Sequence, residues 1–270
     1  MSVTQCRPEI ETVVCETCCQ TPGGCDCQTN LSTASPEPTI SGLNTSHGSF
    51  DASFYGLYTD PSTGAAVEPV CHMGTNWLPQ DWAYFTTLQN GDLAFIWGPQ
   101  RAYWFTPTGG GAPFIPQFGV KAELSKTSST YTLTEEDGTS YDFDATTGML
   151  VTTETPGGQK ATNSFDASGK VTKTLREYPT DSPTTKETRL YSYYGTEGGG
   201  NEGQLKYATL QRSKSPDSPF RRLSFTYYDS NESGGNLNDL KSVTHQVAKG
   251  AAWQDVETRM FRYYKPAFPI

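Results

Sequence analysis

The densest group of reactive side chains is a run of cysteines. Cys15, Cys18, Cys19, Cys25 and Cys27 place five thiols within thirteen positions, with Cys6 upstream and Cys71 beside His72 downstream. Thiols this close together can present thiolates tetrahedrally to zinc, close small disulfide loops in an exported chain, or stay free. Seven cysteines leave at least one unpaired in any wholly intramolecular disulfide scheme. The run lacks a second regular Cys-x-x-Cys step, so no metal ligand is assigned, and no thiol has a base partner that the sequence can place. His47, His72 and His245 are too scattered for a triad or a metal site and read as surface or turn residues. Residues 229–234 begin like a calcium loop, but its twelfth position is Leu240, where a bidentate Glu is needed. The glycine triplets at 109–111 and 198–200 lack the Lys-Ser/Thr that completes a phosphate loop, so both read as turns. No catalytic residue, cofactor or metal is expected.

Those residues must be positioned by something, and composition narrows the choice. The chain has 270 residues, with 29 acidic against 20 basic side chains and a formal charge of -9. A nucleic acid or an anionic membrane surface needs concentrated positive charge, so neither is expected as a partner. No apolar run approaches the ~20 residues that span a bilayer, so no membrane insertion is expected. The first 29 residues hold no apolar signal core. The expectation is a segment of a longer protein.

Residue usage points to strands. The chain is rich in Thr, Tyr, Phe, Gly and Ser, β-branched and aromatic residues alternate with polar ones, and no helical periodicity is sustained. Between Tyr84 and Trp97, Asn90-Gly91 predicts a two-residue turn with both residues at positive φ. Asp137-Gly138 predicts another turn between Tyr131 with Leu133 and Tyr141 with Phe143. Gly148, Gly158, Gly169 and the glycines at 198–200 and 234–235 punctuate further short alternating runs. The fold class is therefore all-β, an antiparallel meander of hairpins.

Three stretches differ in character. Residues 1–49 are Cys-, Pro-, Ser- and Thr-rich, with little apolar surface, and are expected to form a flexible arm that contributes little core. Residues 50–119 hold Trp77, Trp82, Trp97 and Trp104 and are expected to form a β module with its own cluster of rings. Residues 120–270 are repetitive. Phe143-Asp144 with Gly148 is echoed by Phe165-Asp166 with Gly169, and a longer period relates Tyr193-Tyr194, Tyr227-Tyr228 and Tyr263-Tyr264, each preceded by an arginine, at 189, 222 and 259. Tyr193, Tyr227 and Tyr263 are expected on one face of the sheet.

These units resemble the YD repeats of the RHS and teneurin-like family. The resemblance runs from about Leu124 to Tyr264 and departs from the pattern where Gly195 and Lys265 stand in place of Asp. It implies an extended, curved YD-repeat sheet, a partial shell with a structural or encapsulating role in a larger secreted or cell-surface protein. Its partners would be further repeat segments of the same longer chain or an enclosed cargo domain. The family's self-cleaving C-terminal core has no counterpart here. The strand from Met260 is then expected to present an uncovered edge that recruits another strand. Two other readings are a carbohydrate- or protein-binding β module at a cell surface, using exposed Tyr and Trp, and a β-rich hydrolase with paired acids.

Overall fold

The computed structural model describes residues 8–11, 39–45, 48–54, 58–59, 66–67, 72–74, 77–98, 101–108, 113–179, 185–212 and 219–263. All the cysteines, His47, Tyr264 and the glycines at 109–111 lie outside the described residues, and so do the expectations resting on them.

Among the described residues the chain is all β, with one short 3-10 turn, Gln80–Trp82, and no α-helix. The strands are β1 (Pro8–Glu11), β2 (Thr39–Thr45), β3 (Gly48–Phe54), β4 (Tyr58–Thr59), β5 (Ala66–Val67), β6 (Trp77–Pro79), β7 (Tyr84–Thr87), β8 (Leu93–Gly98), β9 (Arg101–Pro107), β10 (Phe114–Pro116), β11 (Glu123–Lys126), β12 (Thr130–Thr134), β13 (Ser140–Asp144), β14 (Leu150–Glu154), β15 (Lys160–Phe165), β16 (Val171–Tyr178), β17 (Thr185–Tyr193), β18 (Leu205–Arg212), β19 (Arg221–Tyr227), β20 (Leu240–Lys249) and β21 (Ala252–Tyr263). From β11 to β21 each strand pairs antiparallel with the next, and β1 adds to β21, giving an open twelve-stranded sheet whose edges are β1 and β11. β7 to β10 form a four-stranded sheet, and β2, β3 and β6 a three-stranded one.

One turn chemistry recurs along the chain, once in the four-stranded sheet and three times in the meander. Gly91, Gly138, Gly158 and Gly169 all have positive φ. Each donates its N–H to the carbonyl three residues earlier: Leu88, Glu135, Thr155 and Asp166. This is a type I turn followed by a left-handed residue, the three-residue hairpin loop. The two-residue turn expected at Asn90-Gly91 is corrected accordingly. Only Gly91 takes positive φ, and Asn90 instead accepts the Asp92 N–H through its side-chain oxygen at 2.9 Å. Asp137 does the same for the Thr139 N–H at 2.8 Å. A short side-chain acceptor in that place satisfies an amide that the tight loop would otherwise leave unpaired.

Side chains alternate across the sheet, as in β12 and β13, where Tyr131, Leu133, Tyr141 and Phe143 are buried between half-exposed neighbours. The buried face of the meander is covered by the N-terminal strands. Phe85 and Phe95 meet Phe143 edge-on at 6.2 and 5.0 Å, Phe50 lies 6.1 Å from Phe225, and Trp77 meets Phe261 at 5.1 Å. Two apolar clusters result, one joining β7–β9 to β12–β14 and the other joining β2, β3, β6 and β8 to β17–β21. Backbone bonds add to the seam: the Phe85 N–H donates to the Gly148 carbonyl and the Leu150 N–H to the Ala83 carbonyl.

Three expectations change. The aromatic rings of 50–119 do cluster among themselves, Phe85 with Phe95 at 5.2 Å and Phe95 with Phe105 at 5.7 Å, but that cluster is not theirs alone and continues into the meander, because a three- or four-stranded sheet has one apolar face to bury and the meander offers its complement. The stretch 1–49 is not simply an arm: Ile40 and Leu43 are buried, at 1% and 4% exposure, in the core shared with Phe225. The final strand is not an uncovered edge from Met260 onward, since Pro8, Glu9, Ile10 and Glu11 pair with Tyr263, Arg262, Phe261 and Met260. Pro8 opens the covering strand, where its missing N–H costs no ladder bond.

Candidate functional site

The residues singled out as a repeat signature occupy one recurrent structure. Four times an aromatic residue, last in its strand or, for Phe143, last but one, is paired across a bulge with an apolar one: Phe143 with Leu150, Phe165 with Val171, Tyr193 with Leu205, and Tyr227 with Leu240. The next residue, Asp144, Asp166, Tyr194 or Tyr228, begins the loop, and a left-handed residue ends it: Gly148, Gly169, Gly203 and Asn238. That residue returns its N–H to the carbonyl of the loop's first residue. The short and the long repeats of the sequence are thus one unit, with a short loop of four or five residues or a long one of ten or eleven.

In the short loops the aspartate closes the turn. Asp144 accepts the Thr146 and Thr147 N–H groups through one oxygen, and Asp166 accepts those of Ser168 and Lys170. Turn bonds, from the Thr147 backbone to Asp144 and from the Ser168 hydroxyl to Asp166, hold both carboxyls below the usual range. In the long loops tyrosine replaces aspartate and reaches into the next unit. The Tyr194 hydroxyl donates to the Phe225 carbonyl at 2.8 Å, and the Tyr228 hydroxyl to the Phe261 carbonyl at 2.7 Å. The Tyr227 and Tyr263 N–H groups donate back to the Gly199 and Gly234 carbonyls of those loops.

The preceding tyrosines point inward as expected. Tyr193, Tyr227 and Tyr263 donate to the carbonyls of Val171, Leu205 and Leu240, each the first residue of a strand. Burial pushes all three phenols well above their ordinary value, so they remain protonated donors. The arginines that introduced these units are not equivalent. Arg189 is buried, whereas Arg222 lies on the opposite face, its guanidinium 4.0 Å from the centre of the Tyr207 ring and 4.3 Å from that of Trp253. Arg189 stands four residues before its tyrosine and Arg222 five, and with a period of two that difference reverses the face.

Two polar clusters escaped the sequence. In the first, Asp81 in the 3-10 turn receives Arg176 at 2.7 Å and Arg189 at 2.5 Å. Arg189 is only 1% exposed, and its Nε and Nη2 have no hydrogen-bond partner among the described residues. Burial alone would raise the Asp81 carboxyl, but the two guanidiniums outweigh it and hold the group below its ordinary value. Asn163 donates to the Asp81 and Leu150 carbonyls and accepts from Thr174, which adjoins the Tyr191 hydroxyl. This polar spine pins the 3-10 turn to β15, β16 and β17. In the second cluster, Arg101 lies 4.7 Å from the centre of the Trp97 ring and donates to Glu135 at 2.6 Å and Tyr141 at 2.8 Å. Glu135 also accepts the Tyr103 hydroxyl at 2.6 Å.

Of the histidines, His72 is half-buried edge-on to Tyr193 at 5.9 Å, and His245 is half-buried in β20, with burial lowering both below the ordinary value. No group of three or more His, Cys, Asp or Glu with metal-binding geometry occurs among the described residues. No helix among the described residues is long and apolar enough to cross a membrane.

No family model matches the chain, and no curated protein matches it. Among solved structures it is similar to a porin-like protein from Bacteroides uniformis at 10% identity, over 68% of this chain and 94% of that one, with a TM-score of 0.23. At that TM-score nothing is carried from the neighbour to this chain.

Proposed function

We propose that this chain is a non-catalytic β-scaffold of the YD-repeat kind, a structural segment of a larger secreted or cell-surface protein. The observation that carries the reading is the reciprocal lock between successive units. Tyr194 bonds forward to Phe225 while Tyr227 bonds back to Gly199, and Tyr228 with Phe261 and Tyr263 with Gly234 repeat the arrangement. The residues that recur are spent on backbone hydrogen bonds and on filling the sheet, which suits rigidity and leaves them no free nucleophile or base. A unit that bonds to its neighbours in both directions also suits a sheet that is extended by repetition.

One face of the meander is already covered by its own strands β2, β3 and β6 to β9. That favours a shell wall stiffened from within, with any further partner on its other surfaces. A second reading, a carbohydrate- or protein-binding module, gains from the covered β21 edge, since a sheet whose last strand is paired is less in need of continuation. Chemical cross-linking of the protein in its natural cells, followed by mass spectrometry, separates the two. Cross-links to further repeat segments or to an enclosed polypeptide are expected, and a chain joined only to surface glycoconjugates would favour the module.

A further inference from the structure

From the geometry around Phe118 we infer a second property, independent of the scaffold reading: the cleft between Phe118 and Glu135 is a binding site for a neutral oligosaccharide. The cleft has a volume of about 460 Å³ and is lined by Tyr103, Phe118, Lys121, Glu135, Glu136 and Asp137, with backbone and small side chains between them.

Phe118 is placed against the ordinary preferences of its residue type. Its ring is 75% exposed and its φ is 54°, the left-handed region that an aromatic residue seldom enters. Neither departure results from a loose segment. The Gln117 N–H donates to the Trp104 carbonyl, the Val120 N–H to the Gln117 carbonyl, and the Gln117 side chain donates to Asp92 and Thr106. Trp104 then props the Phe118 ring edge-on at 5.9 Å and 89°. A large flat apolar ring is thus held rigidly in solvent beside a cleft, the condition in which a ligand recovers buried area without first ordering the site.

The remaining lining identifies the ligand class. Glu135 is fixed by Arg101, Tyr103 and Tyr141, yet Oε2 receives only the Tyr141 hydroxyl at 3.1 Å and keeps acceptor capacity. Glu136 and Lys121 form an ion pair at the rim, with side chains 71% and 73% exposed, so both can regroup around a ligand. Carboxylates and an ammonium beside an aromatic plane suit a molecule with one apolar face and many edge hydroxyls, which is a pyranose. Three carboxylates in the lining against Lys121, with Arg101 already paired to Glu135, leave an acidic surplus that disfavours sulfated or otherwise anionic glycans. An extended peptide would need a strand edge or a row of apolar pockets, and the lining is two rings among charged groups.

The test is isothermal titration calorimetry of the full chain with neutral hexasaccharides of glucose, mannose and galactose in α and β linkage, beside a sulfated hexasaccharide. At least one neutral ligand should bind, and Phe118→Ala should weaken it about tenfold or more without lowering Tm, because the ring contributes to no core. Glu135→Gln, which keeps the shape but loses the charge, should weaken it less. Failure of every neutral hexasaccharide, binding of the sulfated one alone, or unchanged affinity in Phe118→Ala would each overturn the inference. None of these outcomes bears on the reciprocal tyrosine lock, so the scaffold reading stands or falls separately.

Discussion

Tyr194 meets Tyr227 edge-on at 6.2 Å and 80°, and one unit later Tyr228 meets Tyr263 at 6.3 Å and 85°. The second tyrosine of each pair therefore packs on the first tyrosine of the next, while its hydroxyl reaches past that ring to the strand behind it. Removing the hydroxyl alone isolates the polar part of the contact. Tyr194→Phe and Tyr228→Phe should each lower stability by about 1 kcal/mol, the usual net worth of one buried hydrogen bond. Urea unfolding should show a lower midpoint with unchanged slope.

The loops that receive these rings are shaped around them. A Cβ built on Gly200 would lie 2.6 Å from the Tyr194 ring, one on Gly235 would lie 2.4 Å from Tyr228, and one on Gly198 meets nothing within 4 Å. None of the three has positive φ, so the comparison is steric and free of backbone strain. Gly200→Ala and Gly235→Ala should cost roughly 1–3 kcal/mol by overpacking, and Gly198→Ala should be close to neutral. Thermal melts of the three variants check this, and equal shifts would show that the loops do not hold the rings.

Asp81 joins the N-terminal strands to the meander through two guanidiniums. Asp81→Asn leaves both with a neutral partner in a largely dry site, and a loss of about 3–5 kcal/mol is expected. The carboxyl is depressed from an ordinary value near 3.8. Its contribution is therefore fully present above about pH 4 and is lost as pH falls through the depressed value. Urea titrations from neutral to strongly acidic pH should show the wild-type midpoint falling towards that of Asp81→Asn as the carboxyl protonates.

Ile40 tests whether the segment before Phe50 is integral. At 1% exposure in the shared cluster, its truncation to Ala should cost about 2–5 kcal/mol. A neutral Ile40→Ala, by circular dichroism melting, would restore the view of residues 1–49 as an arm.

Much of this fold is legible locally. The strand pattern, the glycine-marked turns and the inward row of Tyr193, Tyr227 and Tyr263 follow from period-two alternation and turn chemistry, which act over a few residues. The equivalence of Phe143 and Phe165 with the tyrosines was obscured because Asp gives way to Tyr and the loop lengthens, although Gly203 and Asn238 mark the same left-handed position. The Asp81 pin was illegible because its partners lie 95 and 108 residues away, and one carboxylate beside a tryptophan carries no periodic signal. The Phe118 cleft was hidden for a similar reason, since Glu135 sits in an ordinary turn and only the folded chain brings it to Tyr103. The arginine register failed on a single inserted residue, which alternation turns into a change of face.

The repeat units and the N-terminal strands packed on them form one interlocked body. Four amides report on it directly: Tyr227 to Gly199 and Tyr263 to Gly234 between units, and Phe85 to Gly148 and Leu205 to His72 between the meander and the segments before it, β7 and the bend at 72–74. Native-state hydrogen exchange by NMR should give these amides the same opening free energy as those in the β17–β20 ladder, because none can open without separating packed elements. Rapid exchange at the four positions beside a fully protected ladder would mean that no interlocked body exists, only a sheet with loosely attached loops and N-terminal strands.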